Sequence, residues 1–260
     1  MKKLLLLFLL AFLAVPIASA EESVVTLTTT LDEGASIKLY TWADSMDDAF
    51  TIDWGDGVEK IYNKVKPSWT YGSEITGKLG ASKTITIKGD ITYLEIKEMQ
   101  ISAATFANTK LKEVDMEKNQ LTDFNLSGLP EVTKLSLNEN SIVTFSSTGN
   151  SVLKNLGLKS NKIESHQFEI SSLANSLEQL NVSENGENFV ALNLINFDKL
   201  QYFTANDNPE LTTVVFYDGS TNLKQISMNN CHIMHFYAIS LPNLSSLKLS
   251  NNALLDFENG

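Results

Sequence analysis

The chain has 260 residues and carries 20 basic against 31 acidic side chains, a formal net charge of −11. Every basic residue is Lys, so the planar guanidinium fork that grips phosphates is missing, which together with the acidic balance argues against nucleic acid and anionic membrane as partners. The single cysteine, Cys231, rules out an intramolecular disulfide, and stability must come from a packed core.

Residues 1–20 open with Lys2 and Lys3, continue in an apolar run from Leu4 to Val15 and finish Ala18, Ser19, Ala20. This is the pattern of a secretory signal peptide cleaved after Ala20, and the run is short for a membrane span. The expectation is therefore a secreted or cell-surface protein with no membrane span. Its mature chain would hold 18 Lys against 31 acidic residues, a net charge of −13.

Residues 21–88 alternate in short β-like runs: Val24 to Thr30, Ser36 to Trp42, Phe50 to Trp54, Val58 to Tyr62 and Thr84 to Lys88. Asp, Gly, Asn and Pro turn signals separate them. The spacing predicts a small β-rich cap domain, with the Asp-Gly pair after Trp54 forming a hairpin turn and the Trp packing inward.

From residue 89 to residue 260 one pattern, LxxLxLxxNxL, recurs about eight times. The clearest copies run Leu111, Val114, Met116, Asn119, Leu121, then Val132, Leu135, Leu137, Asn140, Ile142, then Leu153, Leu156, Leu158, Asn161, Ile163. A weaker copy starts at Ile91, and four more at Leu177, Leu200, Leu223 and Leu244. The intervals of 20 to 24 residues are those of leucine-rich repeats. The LxL stretch has the period of a strand with one buried face, so successive copies predict a parallel sheet on the concave side of a solenoid. Short irregular, 3-10 or helical segments are expected on the convex side. The Asn of each copy ends the strand and offers its amide to main-chain groups that the turn would bury unpaired. Cys231 takes that place in the seventh copy. Phe124, Phe145, Phe236 and Phe257, thirteen residues after each first position, should fill the core, with Phe168 two residues later in a longer repeat. The cap covers a first edge that would otherwise expose core and unpaired strand.

Two resemblances follow from these residues. The segment Ile52-Asp53-Trp54-Gly55-Asp56-Gly57 resembles the WGDG signature of bacterial β-sandwich modules of the polycystic kidney disease type. Its coupling to repeats over residues 91 to 257 is similar to secreted and surface leucine-rich repeat proteins of Bacteroidetes, and more distantly to internalins. The resemblance implies protein or glycan recognition at the cell surface without catalysis in the repeats. Uneven repeat lengths depart from the internalin pattern.

No residue pattern points to an enzyme, and neither a catalytic residue nor a cofactor is expected. His232 and His235 follow Cys231 closely, but a thiol at the buried Asn position is a packing group and the histidines fall on the turn toward the convex side. His166 stands apart. Asp53 and Asp56, with Asp44, Asp47 and Asp48 upstream, lack the spacing of a calcium loop, and turn chemistry accounts for the pair. No metal site is expected.

A functional surface is expected where residues flanking the LxL leucines point outward. The candidate ligand-binding residues are Tyr93, Glu95, Glu113, Asp115, Glu117, Lys134, Asn155, Lys159, Gln179, Tyr202, Gln225 and Lys248. Eight strands at about 4.8 Å spacing make a face about 34 Å long. The convex or ascending side offers Phe216 and Tyr217 or Phe236 and Tyr237 as an alternative contact surface. The reading is a non-catalytic, adhesin-like binding protein for a protein or peptide ligand. The alternatives are a glycan-binding accessory protein using Trp42, Trp54 or Trp69 as stacking platforms, and a spacer that self-associates through the C-terminal end of its solenoid.

Overall fold

The computed structural model describes residues 22–45, 47–63, 74–216, 222–238, 241–253 and 256–259. The signal segment, Trp69, Tyr217 and Gly260 lie outside the described residues, as does the side chain of Phe257. Six strands come first: β1 (Val24–Thr29), β2 (Ser36–Trp42), β3 (Phe50–Asp53), β4 (Glu59–Tyr62), β5 (Glu74–Lys78) and β6 (Thr84–Lys88). Their alternation puts Val25, Leu27, Ile37, Leu39, Ile52, Ile85 and Ile87 into one core, each at most 1 % exposed. At the Trp-Gly-Asp-Gly turn, Asp53 Oδ1 accepts the Gly55 and Gly57 amides at 2.8 and 3.1 Å. Trp54 is fully buried and lies flat on Gly77, where an added Cβ would stand 2.1 Å from the indole.

The repeats supply strands in pairs. The front members are β7 (Tyr93–Glu95), β9 (Glu113–Asp115), β11 (Lys134–Ser136), β13 (Asn155–Gly157), β15 (Gln179–Asn181), β17 (Tyr202–Thr204), β19 (Gln225–Ser227) and β21 (Ser246–Lys248). Each pairs in parallel with the next, so Leu94, Val114, Leu135, Leu156, Leu180, Phe203, Ile226 and Leu247 fall in one row. This is a leucine-rich-repeat solenoid built on the predicted strands.

The back carries two short 3-10 turns, Ser165–Gln167 and Ser171–Leu173, but it is mostly extended. There β10 (Asp123–Asn125), β12 (Thr144–Ser146) and β14 (Phe168–Glu169) form one parallel ladder. A second ladder joins β16 (Ala191–Asn193), β18 (Thr213–Phe216), β20 (His235–Ala238) and β22 (Asp256–Asn259). No α-helix occurs among the described residues. The physical reason is length: the 20 to 24 residues of a repeat, less its front strand and two turns, leave room for three or four back residues centred on an inward Phe, Leu or Val. Phe124, Phe145 and Phe236 are buried as expected, and Phe168 is half-buried.

Cap and solenoid share both sheets. On the front, β2 pairs antiparallel with β5 on one side and with β7 on the other, giving ten continuous strands. On the back, β8 (Ile101–Ala107), the continuation of the first repeat, pairs antiparallel with β1 and completes a sheet ordered β4-β3-β6-β1-β8. The hydrophobic core accordingly runs without interruption from Val25 to Phe236.

An asparagine ladder fastens each turn to the one before it. Asn161 Nδ2 donates to the carbonyls of Leu137 and Leu158, both at 3.1 Å, while its Oδ1 accepts the Ile142 amide at 3.0 Å. Asn119, Asn140 and Asn252 repeat this bonding. Asn185 and Asn208 reach back in the same way to Leu158 and Val182. Cys231 replaces the amide with a thiol donating to Ala205 at 3.0 Å, and burial raises its pKa. The residue before each ladder position takes a left-handed conformation, from Lys118 at φ 55° to Asn251 at φ 58°, which lets the strand turn at once into the next segment.

Candidate functional site

Ten of the twelve candidate residues lie in the front strands, in rows set by the parallel register, and Glu117 and Lys159 follow just after β9 and β13. The structure sorts them into groups that satisfy one another and groups that do not. At the cap end, Lys97 Nζ lies 2.6 Å from Asp115, 3.6 Å from Glu117 and 3.9 Å from Glu95. Glu117 Oε1 also accepts Ser136 Oγ at 2.5 Å and Asn138 Nδ2 at 2.6 Å. These carboxylates are thus half-buried and gathered around one lysine, which leaves the cluster net negative. Burial raises the Asp115 pKa above its ordinary value despite Lys97. At Glu117 burial pulls upward as well, but the Ser136 and Asn138 hydrogen bonds and Lys97 outweigh it and the pKa falls. Tyr93 is equally committed: its ring stacks on Trp42 and its hydroxyl donates to Glu95 at 2.5 Å.

Further along, Asn206 Oδ1 accepts Ser227 Oγ at 2.9 Å and the Asn229 amide at 2.8 Å, and Asn229 Oδ1 accepts the Ser250 amide at 3.0 Å. Lys159 pairs with Glu184 at 2.9 Å. Between these networks the face opens into a trough of about 330 Å³ lined by Lys134, Ser136, Asn155, Gly157, Gln179, Asn181, Tyr202 and Thr204, with the strand segments at Leu135, Leu156 and Leu180 beneath them and those leucine side chains buried in the core. Gly157 lies at the edge of the trough, and its lack of a side chain makes room for Asn138, whose Oδ1 stands 2.9 Å from where a Cβ would be. Tyr202 forms a wall and is 40 % exposed, with Lys224 Nζ 5.9 Å from its ring centroid. Gln225 flanks the trough beyond Tyr202, and Lys248 is exposed on the last front strand.

Sequence reasoning missed Lys224 and Glu184, which lie outside the outward rows in the turns before and after the strands. Several expected aromatic contacts are corrected. Trp42 and Trp54 are 7 % and 0 % exposed, so neither presents a stacking face to a glycan; Trp42 is covered by the Tyr93 ring opposite it and Trp54 is packed against Gly77. Phe216 and Phe236 are likewise buried, packed edge to face at 6.0 Å inside the back ladder. His166 is exposed and lies 3.5 Å from Glu164, and His232 is exposed. Among the described residues no three His, Cys, Asp or Glu side chains gather as a metal site, and no helix is long and apolar enough to cross a membrane.

Fold and face together define a leucine-rich-repeat solenoid with a β-structured cap. Among solved structures, the chain is similar to one titled the functional domain of InlJ from Listeria monocytogenes, which includes a cysteine ladder. The identity is 20 %, the TM-score is 0.31, and the match covers 58 % of this chain and 42 % of that one. No family model matches the sequence, and no curated protein does.

Proposed function

We propose that this protein is a non-catalytic, exported, adhesin-like binding protein that recognises a protein ligand through the front sheet of its solenoid. The observation that carries the reading is that the outer face of the eight parallel front strands is left uncovered by any described element. Within that face the middle strands hold polar groups without a partner among the described residues and the exposed Tyr202, and Tyr is among the residues that anchor protein interfaces. The size supports it too, since a face about 34 Å long accommodates an extended segment.

The test is binding of residues 21–260 to an array of cell-surface proteins, compared with two double variants. Lys134→Ala with Tyr202→Ala alters the middle of the front sheet; Val190→Ser with Ile195→Ser alters exposed residues of the back. Selective binding lost only in the front variant supports the reading. Binding lost only in the back variant, or no saturable protein binding at all, overturns it.

A further inference from the structure

We infer that the trough between β11 and β17 is an anion seat that takes a single carboxylate side chain, Asp or Glu, from an extended segment of the protein ligand. The inference rests on the front-sheet reading above and specifies the chemistry of its partner.

The argument begins with which hydrogen-bonding groups remain open. The Asn181 amide is fixed in orientation because its Oδ1 accepts the Ser183 main-chain N–H at 3.1 Å, so Nδ2 is the end left facing out. Asn155 Nδ2 donates to Gln179 Oε1 at 3.1 Å, which leaves the Gln179 amide nitrogen without an acceptor among the described residues. The hydroxyls of Thr204 and Tyr202 likewise make no hydrogen bond there, although both line the same space. Lys134 reaches Glu113 only at 3.7 Å, and both side chains are well exposed. Lys224, over the Tyr202 ring, adds a second cation at the rim.

The open groups on the trough are therefore donors and positive charge. No carboxylate lines it, although the chain as a whole carries a net charge of −11. This is the reverse of the cap end of the same sheet, where Glu95, Asp115 and Glu117 are held around Lys97. A carboxylate accepts from several donors at once, and bonds of this charge-assisted kind are the stronger ones. A neutral amide of the same shape would bring its own donors against the open N–H groups and gain less. The acidic face beside the trough adds selectivity: a densely acidic ligand would be repelled along β7 and β9, so the preferred segment carries its carboxylate at one point and is neutral or basic toward the cap.

The experiment is titration of the ¹⁵N-labelled mature chain with two blocked pentapeptides differing only in a central Glu or Gln, and with glucuronate, following the side-chain NH₂ signals of Asn181 and Gln179. The Glu peptide should shift these signals saturably, at least about tenfold more tightly than the Gln peptide, and Lys134→Ala should cost about the same factor with the fold unchanged by circular dichroism. Equal binding of both peptides, or no saturable shift, overturns the proposal. Glucuronate binding more tightly than the Glu peptide also overturns it, because the source of the carboxylate would then be an acidic sugar. The two readings fail separately: an array protein captured through the front face with undiminished affinity in Lys134→Ala and Asn181→Ala leaves the protein-binding function standing and removes the anion seat.

Discussion

The rings of Trp42 and Tyr93 stack face to face with centroids 3.8 Å apart and planes 5° from parallel, directly across the antiparallel pairing of β2 with β7. That pair is the seam between two kinds of structure. Trp42 ends a strand of the cap, Tyr93 begins the first strand of the solenoid, and Thr41 Oγ1 adds a hydrogen bond to the Tyr93 carbonyl at 2.6 Å. Replacing Tyr93 with Ala should cost about 2 kcal/mol from lost ring contact and burial. It should also split urea unfolding into two transitions, one for each side of the seam. A single transition with an unchanged midpoint would show that the seam is held by its main-chain bonds alone.

Asn161 makes three or more hydrogen bonds from a site only 6 % exposed, and a substitution to Leu would strand buried carbonyls and the Ile142 N–H. A loss of about 2–4 kcal/mol is expected, read from the midpoint of chemical unfolding. The converse change is Cys231→Asn, which restores an amide where a thiol now makes its bond to Ala205. This variant should gain about 1 kcal/mol, and a loss would mean that the seventh turn has reshaped its core around sulfur.

The thiol itself offers a second reading of the same turn. Because burial raises its pKa and leaves it 8 % exposed, Cys231 should react slowly with a disulfide reagent at pH 8 in the native protein and quickly in denaturant. Native reactivity equal to that of the unfolded chain would place the thiol at the surface and count against the ladder position described.

The Lys97 cluster makes a prediction with a defined sign. Glu117 is depressed below its ordinary 4.5, so its share of stability is present above that pH and is lost as pH falls through the folded value. Asp115 is raised above 3.8, so protonation in acid relieves the folded state and works in the opposite direction. In Glu117→Gln only the second effect survives. Comparing pH 3 with pH 6, the variant should therefore lose less stability than the unaltered chain, and a larger loss would contradict the assignment.

Much of this architecture is legible in the residues because the LxLxxN pattern encodes geometry directly: the leucines give the inward row, the alternation gives the outward one, and the Asn marks the turn. The strand β5 escaped because Ile75 is its one large apolar side chain and Gly77, which makes room for Trp54, looks like a strand breaker. The back ladders escaped for a related reason, since three-residue strands such as Thr144–Ser146 are too short to show a period. For the candidate site, position was readable and availability was not. Tyr93 and Tyr202 hold equivalent places in the pattern, yet one is sealed against Trp42 and the other stands at the edge of an open trough. That difference comes from the neighbouring chain segment, which for Tyr93 is the cap.

The asparagine ladder gives the molecule a direction. Each amide reaches toward the turn that precedes it in the chain and closes main-chain groups there, so a turn is finished only when its successor has formed. During synthesis from the N-terminus the growing chain would carry one incomplete coil at its leading end, always the newest. Mechanical or thermal fraying would run the other way, peeling coils off in reverse order toward the cap, with the Cys231 coil as the point where peeling meets least resistance.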